Sequence, residues 1–141
     1  MTNPLRLEQY FFPHQEVRAN PGHDPAGKLD GTNTTTKTNI SRIPDRSDAV
    51  IAECVLSLDE TTSENPIYFF TLHVFGIFVA PEGMPEDVMM QSAPRTAIPI
   101  LIGAARERLA ELTARAPWGT LFLNTVPIQI QSGVVGDTPE P

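Results

Sequence analysis

The chain has 141 residues and an apolar fraction of 40%, which is typical of one globular domain. Its formal net charge of −7, from 17 acids against 10 bases, argues against nucleic acid or an anionic membrane as the partner. A single cysteine, Cys54, excludes an internal disulfide, and the lack of an apolar signal segment or a membrane-spanning run leads us to expect a cytoplasmic protein.

The first two predicted strands lie on either side of a loop. Residues 5–12 mix apolar and polar positions and precede Pro13, which favours a strand that ends there. Residues 20–31 are dense in turn-forming residues and predict a loop. Residues 32–43 are rich in threonine, whose β-branched side chain favours an exposed or edge strand, with a disordered polar linker as the alternative.

The next two predicted strands carry most of the apolar residues. Residues 49–58 alternate between apolar and polar side chains, as a strand with one buried face does. Residues 67–80 are apolar at both odd and even positions, so both faces of this strand need to be covered. Gly76 within it indicates a bulge or a close approach of another backbone.

A helix follows, which we predict in two pieces. Residues 86–91 form a short helical segment, and Ser92 is predicted to cap a second helix that begins near Pro94 and ends before Pro117. Apolar residues at helical spacing form one face, and charged residues form the other. Small residues within it offer another element a close approach and are our candidates for an oligomer interface. They are Gly103, Ala104 and Ala105.

No arrangement of residues indicates catalysis or metal binding. The three histidines, His14, His23 and His73, are scattered and lack the spacing of metal ligands. Cys54 lies in an alternating strand, where a buried thiol is the ordinary interpretation. The sequence contains no nucleophile elbow, phosphate loop or dinucleotide fingerprint. We therefore expect a protein that is not an enzyme and has no cofactor or metal.

Several short motifs occur in the order and spacing of a known family. The first motif is the Ala-Arg-Glu of residues 105–107. It is followed, at spacings that need no alignment gap, by an arginine near the helix end, an aromatic residue and a Leu-x-Leu. A Gly-Ile-Phe precedes them at residues 76–78, and Tyr10 fits a tyrosine of the first strand. Over residues 5–130 the chain resembles the SecB family of export chaperones. The later positions that match are Arg115, Trp118, Leu121, Leu123 and Val126.

The resemblance implies an α+β fold, with a four-stranded antiparallel sheet and one long helix packed on it. Two such subunits would pair, and two pairs would form a homotetramer with its helices between the sheets. The family has no cofactor and no catalytic activity. It holds unfolded chains in long apolar grooves and passes them to the SecA motor.

The chain departs from the family in ways that affect these expectations. Residues 102–104 replace the family's Phe-Pro-Tyr, and few residues follow Ile130, so a C-terminal helix is expected to be short or absent. We expect one domain over residues 1–130 and a disordered tail over residues 131–141. Thr71 stands where the family has a glutamate that contacts SecA, and Glu16 is the only carboxylate near the second contact. We therefore expect weak or no SecA binding, which a titration with purified SecA would test.

The function that we infer is a SecB-like chaperone that binds non-native polypeptides and keeps them unfolded or export-competent. One alternative is a dedicated chaperone for a single client, such as the antitoxin of a toxin–antitoxin pair. Another is a protein-binding scaffold that is not a chaperone. The sequence does not name the client. Our candidates for client-binding side chains, with burial in the core as the alternative, are Phe11, Phe12, Phe69, Phe75 and Trp118.

Overall fold

A computed structural model describes residues 5–123 of the chain. Within this range the chain forms an antiparallel sheet of four strands in the order β1-β4-β3-β2, followed by one helix. This confirms the predicted α+β fold. The expectations that a C-terminal helix is short or absent and that residues 131–141 are disordered concern a part of the chain outside the described residues. The elements are β1 (Arg6–Ala19), β2 (Thr34–Ile43), β3 (Arg46–Leu58), β4 (Tyr68–Val79) and α1 (Glu86–Thr113).

The core lies between α1 and one face of the sheet. Along β4 the even-numbered residues, such as Leu72 and Val74, are buried under the helix, whereas the odd-numbered residues are only partly buried. The helix covers this inner face with Ala97, Leu101 and Leu109, each fully buried. The outer face of the sheet is not covered by any element in the described part of the chain. The prediction that both faces of β4 are covered is met on the inner face by α1 and stays a prediction for the outer face.

Gly76 marks the closest approach of α1 to the sheet. A Cβ atom built on this glycine would lie 2.9 Å from Leu101 Cδ2 and 2.9 Å from Phe78 Cε1. Both neighbours are fully buried, so neither side chain has free space into which it can move. The glycine thus makes room for side chains, whereas the sequence predicted a bulge or a close approach of another backbone.

The prediction that the first strand ends at Pro13 is wrong. β1 continues through the proline to Ala19 and pairs with β4 along its whole length. The pairing register shifts between Phe11 and His14, so Pro13 lies in a bulge at the edge of the sheet. A proline is tolerated there because its missing N–H group is not needed for the ladder. The predicted edge strand over residues 32–43 is confirmed as β2.

The helix is continuous, so the prediction of two pieces is also wrong. α1 includes both Pro94 and Pro99, and Ser92 lies inside it, where its hydroxyl donates to the carbonyl of Met89. Proline normally disfavours a helix interior. Here Pro94 is buried with its neighbours Ala93 and Ala97, and burial of this apolar face on the sheet offsets the lost backbone hydrogen bonds.

Two further properties concern membranes and metals. No helix in residues 5–123 is long and apolar enough to cross a membrane. Over the same range, no three His, Cys, Asp or Glu side chains are grouped in a way that could hold a metal ion. Cys54 is buried on the inner face of β3, and this burial raises the pKa of its thiol to about 12.

Adding one methyl group should have opposite effects at two glycines of this structure. We expect Gly76→Ala to destabilise the fold by about 1–3 kcal/mol, because the new Cβ overlaps Leu101 and Phe78. We expect Gly103→Ala to stabilise it by about 0.5–1 kcal/mol, because this helical glycine has nothing within 4 Å of an added Cβ. Urea unfolding followed by circular dichroism measures both. Equal effects would contradict the close approach at Gly76.

Candidate functional site

The chain reverses after α1 and runs back along the helix. We call residues 114–123 the return segment. The backbone N–H of Leu121 donates to Thr113 Oγ1 at 2.8 Å, and Arg106 Nε donates to the carbonyl of Leu123 at 2.7 Å. Thr113 is fully buried and its hydroxyl also donates to the carbonyl of Leu109 at 2.8 Å. The Thr113 hydroxyl thus acts as both hydrogen-bond donor and acceptor, and because it is buried, it fixes the position of the return segment.

The start of the return segment is held by Tyr68 and by Trp118. The Tyr68 hydroxyl donates to the carbonyl of Gly119 at 2.6 Å and accepts from the backbone N–H of Trp118 at 3.0 Å. The Trp118 indole donates to the carbonyl of Asn20 at 3.2 Å, and its ring packs edge-on against His23, with the ring centroids 4.8 Å apart. Trp118 therefore joins the return segment to the loop between β1 and β2.

The loop between β1 and β2 is itself held by the loop between β3 and β4. Asn65 Nδ2 donates to the carbonyls of Asp24 and Lys28, and Asn65 Oδ1 accepts from the Asp24 N–H at 2.8 Å. A Cβ atom on Gly31 would lie 2.1 Å from the carbonyl oxygen of Glu64, so only glycine fits at this crossing. The two loops and the return segment thus form one hydrogen-bonded unit at the same end of the sheet.

A cleft of about 700 Å³ lies where these three segments meet. We call it the main cleft. Leu29 and Phe122 line it, and they are the most exposed large apolar side chains in residues 5–123, at 78% and 72%. Phe122 and Leu123 also border a second depression of about 430 Å³ that continues onto the exposed side of α1 at Gly103. The other residues that line the main cleft are Asp30, Thr32, Asn33, Thr34, Asp59, Thr62, Asn65, Ile67 and Leu121.

The lining of the main cleft is chemically mixed. Its lining combines apolar side chains with hydroxyl, amide and carboxylate groups, and the described lining contains no histidine, cysteine or lysine. Hydrogen bonds from Thr61 and Thr62 lower the pKa of Asp59, so this carboxylate is ionised at neutral pH. The cleft therefore offers both apolar contact and hydrogen bonding to a bound molecule.

The structure separates the five aromatic residues that we predicted as client-binding. Phe11 and Phe75 lie together on the outer face of the sheet, with ring centroids 5.6 Å apart. Phe69 lies farther along this face, under the guanidinium of Arg18. Phe12 is partly buried against the core, and Trp118 lies at the return segment. Of the five, only Phe11, which is exposed, and Phe75, which is half-buried, lie in contact with each other.

That outer face also carries a histidine–glutamate pair beside the aromatic rings. His73 Nε2 lies 2.6 Å from Glu53 Oε2, and the His73 ring is 4.8 Å from the ring of Phe75. The residues of this face are partly exposed and include both apolar and polar side chains.

The three predicted interface residues differ in accessibility. Gly103 is exposed and Ala104 is half-buried, but Ala105 is fully buried against the sheet of its own subunit. Ala105 therefore belongs to the core, and only the first two are accessible to a second subunit.

The apolar residues that line the main cleft were not predicted from the sequence as binding residues. Leu29 lies in a turn-rich loop, and Leu121, Phe122 and Leu123 belong to a segment with only loose alternation. The single signal for them was an isolated large apolar side chain among polar or turn-forming neighbours. That signal is weak, because scattered exposed apolar residues are common on protein surfaces.

Comparison with known proteins identifies a fold. No protein-family model and no curated protein matches the chain. The structure of the Mycobacterium tuberculosis SecB-like chaperone Rv1957, in complex with a ChAD peptide from the Rv1956 HigA1 antitoxin, is similar with a TM-score of 0.59. The match covers 89% of this chain and 93% of that one at 14% identity. The fold is SecB-like.

A protein of unknown function from Streptococcus agalactiae is also similar, with a TM-score of 0.47 and 13% identity. That match covers 86% of this chain and 97% of the other. This second likeness is too weak to support an inference. The SecB-like fold rests on the four antiparallel strands, the long helix and the likeness to Rv1957.

Removing the buried hydroxyl of Thr113 should loosen the wall of the main cleft. We expect Thr113→Val to lose about 1–3 kcal/mol of stability, because the Leu121 N–H loses its acceptor while the side-chain shape is kept. Hydrogen exchange of the amides in residues 119–123 should accelerate. Thr113→Ser is the matched control, and it should retain the protection. Unchanged exchange in the valine variant would show that the return segment is held by other contacts.

Proposed function

We propose that this protein is a SecB-like molecular chaperone that binds non-native polypeptides in the main cleft and keeps them unfolded or export-competent. The observation that carries the proposal is the convergence of Leu29 and Phe122 on one concave surface of a SecB-like fold. Exposed apolar side chains that meet in a cleft mark interaction sites, whereas isolated ones do not. The structural neighbour is a chaperone and not an enzyme, which agrees with a binding function.

The lining favours a polypeptide over a small ligand. The main cleft is open, and its lining combines the polar residues Thr32, Asn33 and Thr34 with the apolar residues 121–123. An extended chain presents both apolar side chains and unpaired backbone groups, so it can use both kinds of surface. A compact apolar ligand would leave the hydroxyl and amide groups without partners.

The expected affinity of a single cleft is modest. Burial of a leucine or phenylalanine side chain contributes about 1.5–3 kcal/mol, so a few such anchors give weak and reversible binding. We propose that the protein is a cytoplasmic homotetramer, in which several clefts bind one unfolded chain and raise the overall affinity. Sedimentation at micromolar concentration would test this, and a monomer would contradict it. Gly103 and Ala104 remain our candidates for the contact between subunits.

A second candidate is a dedicated chaperone for a single client. The Rv1957 structure contains a peptide from an antitoxin, which supports a toxin–antitoxin role as the specific alternative. A general chaperone would capture many unfolded proteins with similar affinity, whereas a dedicated one would strongly prefer one sequence. A scaffold that recognises a folded partner would bind no unfolded chain.

Weak or absent SecA binding remains a prediction. Thr71 lies on the outer face of β4 and is paired in register with Glu16 on β1. Glu16 already contacts His14 and Arg18, and Glu53 contacts His73, so the carboxylates of this face have basic neighbours within the subunit. Acids with such neighbours attract a basic partner less strongly than free acids do.

Client capture should depend on the main cleft more than on the outer face. We expect the double variant Leu29→Ser, Phe122→Ser to weaken binding of reduced and carboxymethylated α-lactalbumin at least about tenfold, because two apolar anchors are lost. Fluorescence anisotropy with labelled α-lactalbumin measures this. The matched control is Phe11→Ser, Phe75→Ser, which removes two aromatic side chains from the outer face.

Thermal melts establish that both double variants are folded before binding is compared. If only the outer-face variant binds the client more weakly, the client-binding site is at Phe11 and Phe75, as the sequence predicted, and not in the main cleft. If neither the parent protein nor either variant binds the unfolded client, the chaperone proposal is wrong.

A further inference from the structure

β2 presents an open edge of the sheet. It is the last strand in the order β1-β4-β3-β2, and within residues 5–123 no other strand pairs with its far side. We propose that a bound polypeptide continues out of the main cleft as an additional strand along β2. This inference rests on the proposed chaperone function, because it describes how the same client is held.

The two edges of the sheet differ in how they are protected. β1 contains Pro13 and has register shifts at two places, features that prevent another strand from pairing with it. β2 contains no proline, and its register with β3 is regular from Thr34 to Arg42. A long regular edge without such features is a template for another strand.

The open edge begins at the main cleft. Thr32, Asn33 and Thr34 line the cleft and lead directly into β2. A chain with apolar side chains seated against Leu29 and Phe122 therefore passes the start of this edge. The free N–H and C=O groups of an edge strand complement the backbone of an extended peptide of any sequence. Backbone pairing would let one site accept many different clients.

The charge of β2 favours a client over a second copy of this chain. Lys37 is exposed near the middle of the strand, and Arg42 near its end is paired with Glu86. Antiparallel pairing of two β2 strands centred on Lys37 would place the two lysines directly opposite each other, which is unfavourable. A neutral or acidic client segment meets no such repulsion.

A synthetic peptide of alternating leucine and threonine tests the backbone pairing. Two N-methylated versions are compared with the parent peptide, one methylated at the leucines and one at the threonines. In an added strand successive N–H groups point in opposite directions, so only one methylation pattern removes the paired donors. We expect that version to bind at least about tenfold more weakly and the other to bind with little change.

Amide exchange of the protein gives an independent measurement. On addition of the parent peptide, alternate amides of β2 should become protected, namely those that point away from β3. Thr36→Pro and Lys37→Pro form a matched pair, because neighbouring amides point to opposite sides of the strand. The variant that loses the outward N–H should keep its melting temperature and lose peptide affinity, and the other should lose stability.

The outcomes separate this inference from the proposed function. Equal binding of both methylated peptides, with affinity still lost in Leu29→Ser, Phe122→Ser, would overturn strand addition and leave the chaperone function supported. The β2 amides could instead be protected from exchange without peptide, and more strongly at higher protein concentration. That result would show that a second copy of this chain pairs with the edge. Absence of binding by the peptide and by unfolded α-lactalbumin would overturn both proposals.

Discussion

The close packing of α1 on β4 is the constraint on which the rest of the molecule depends. Gly76 lets the helix approach the sheet until Leu101 occupies the space where a side chain would be. Thr113 lies at the end of the same helix and is also buried. Thr113 in turn holds Leu121, so the wall of the main cleft is fixed by a contact that lies outside the cleft.

The main cleft is built differently from the core. The core consists of apolar side chains packed between α1 and the inner face, whereas the cleft is held mainly by hydrogen bonds between loops, such as those of Asn65 and Tyr68. Loops that are held by few contacts open more readily than a packed core does. The proposed binding of non-native polypeptides would use both a rigid base and an adaptable rim, and this division is consistent with that proposal.

The main elements were predictable because their signals are local. Alternation in β3, the doubly apolar β4 and the helical spacing of α1 are visible in short windows of sequence. The extension of β1 past Pro13 and the continuity of α1 through its prolines were not, since tertiary packing overrides the local preference there. The cleft depends on pairs far apart in the chain, such as Tyr68 with Gly119, and composition carries no signal for such pairs.

The two prolines inside α1 also affect how the protein reaches its native state. Each interior proline costs a helix about 3 kcal/mol, so this 28-residue helix is unstable as an isolated segment. α1 can persist only when the completed sheet supplies a surface for it, and α1 follows all four strands in chain order. During synthesis the inner face of the sheet is therefore exposed until residues 86–113 have emerged. A nascent copy passes through the same state, with an uncovered apolar surface, that its proposed clients present.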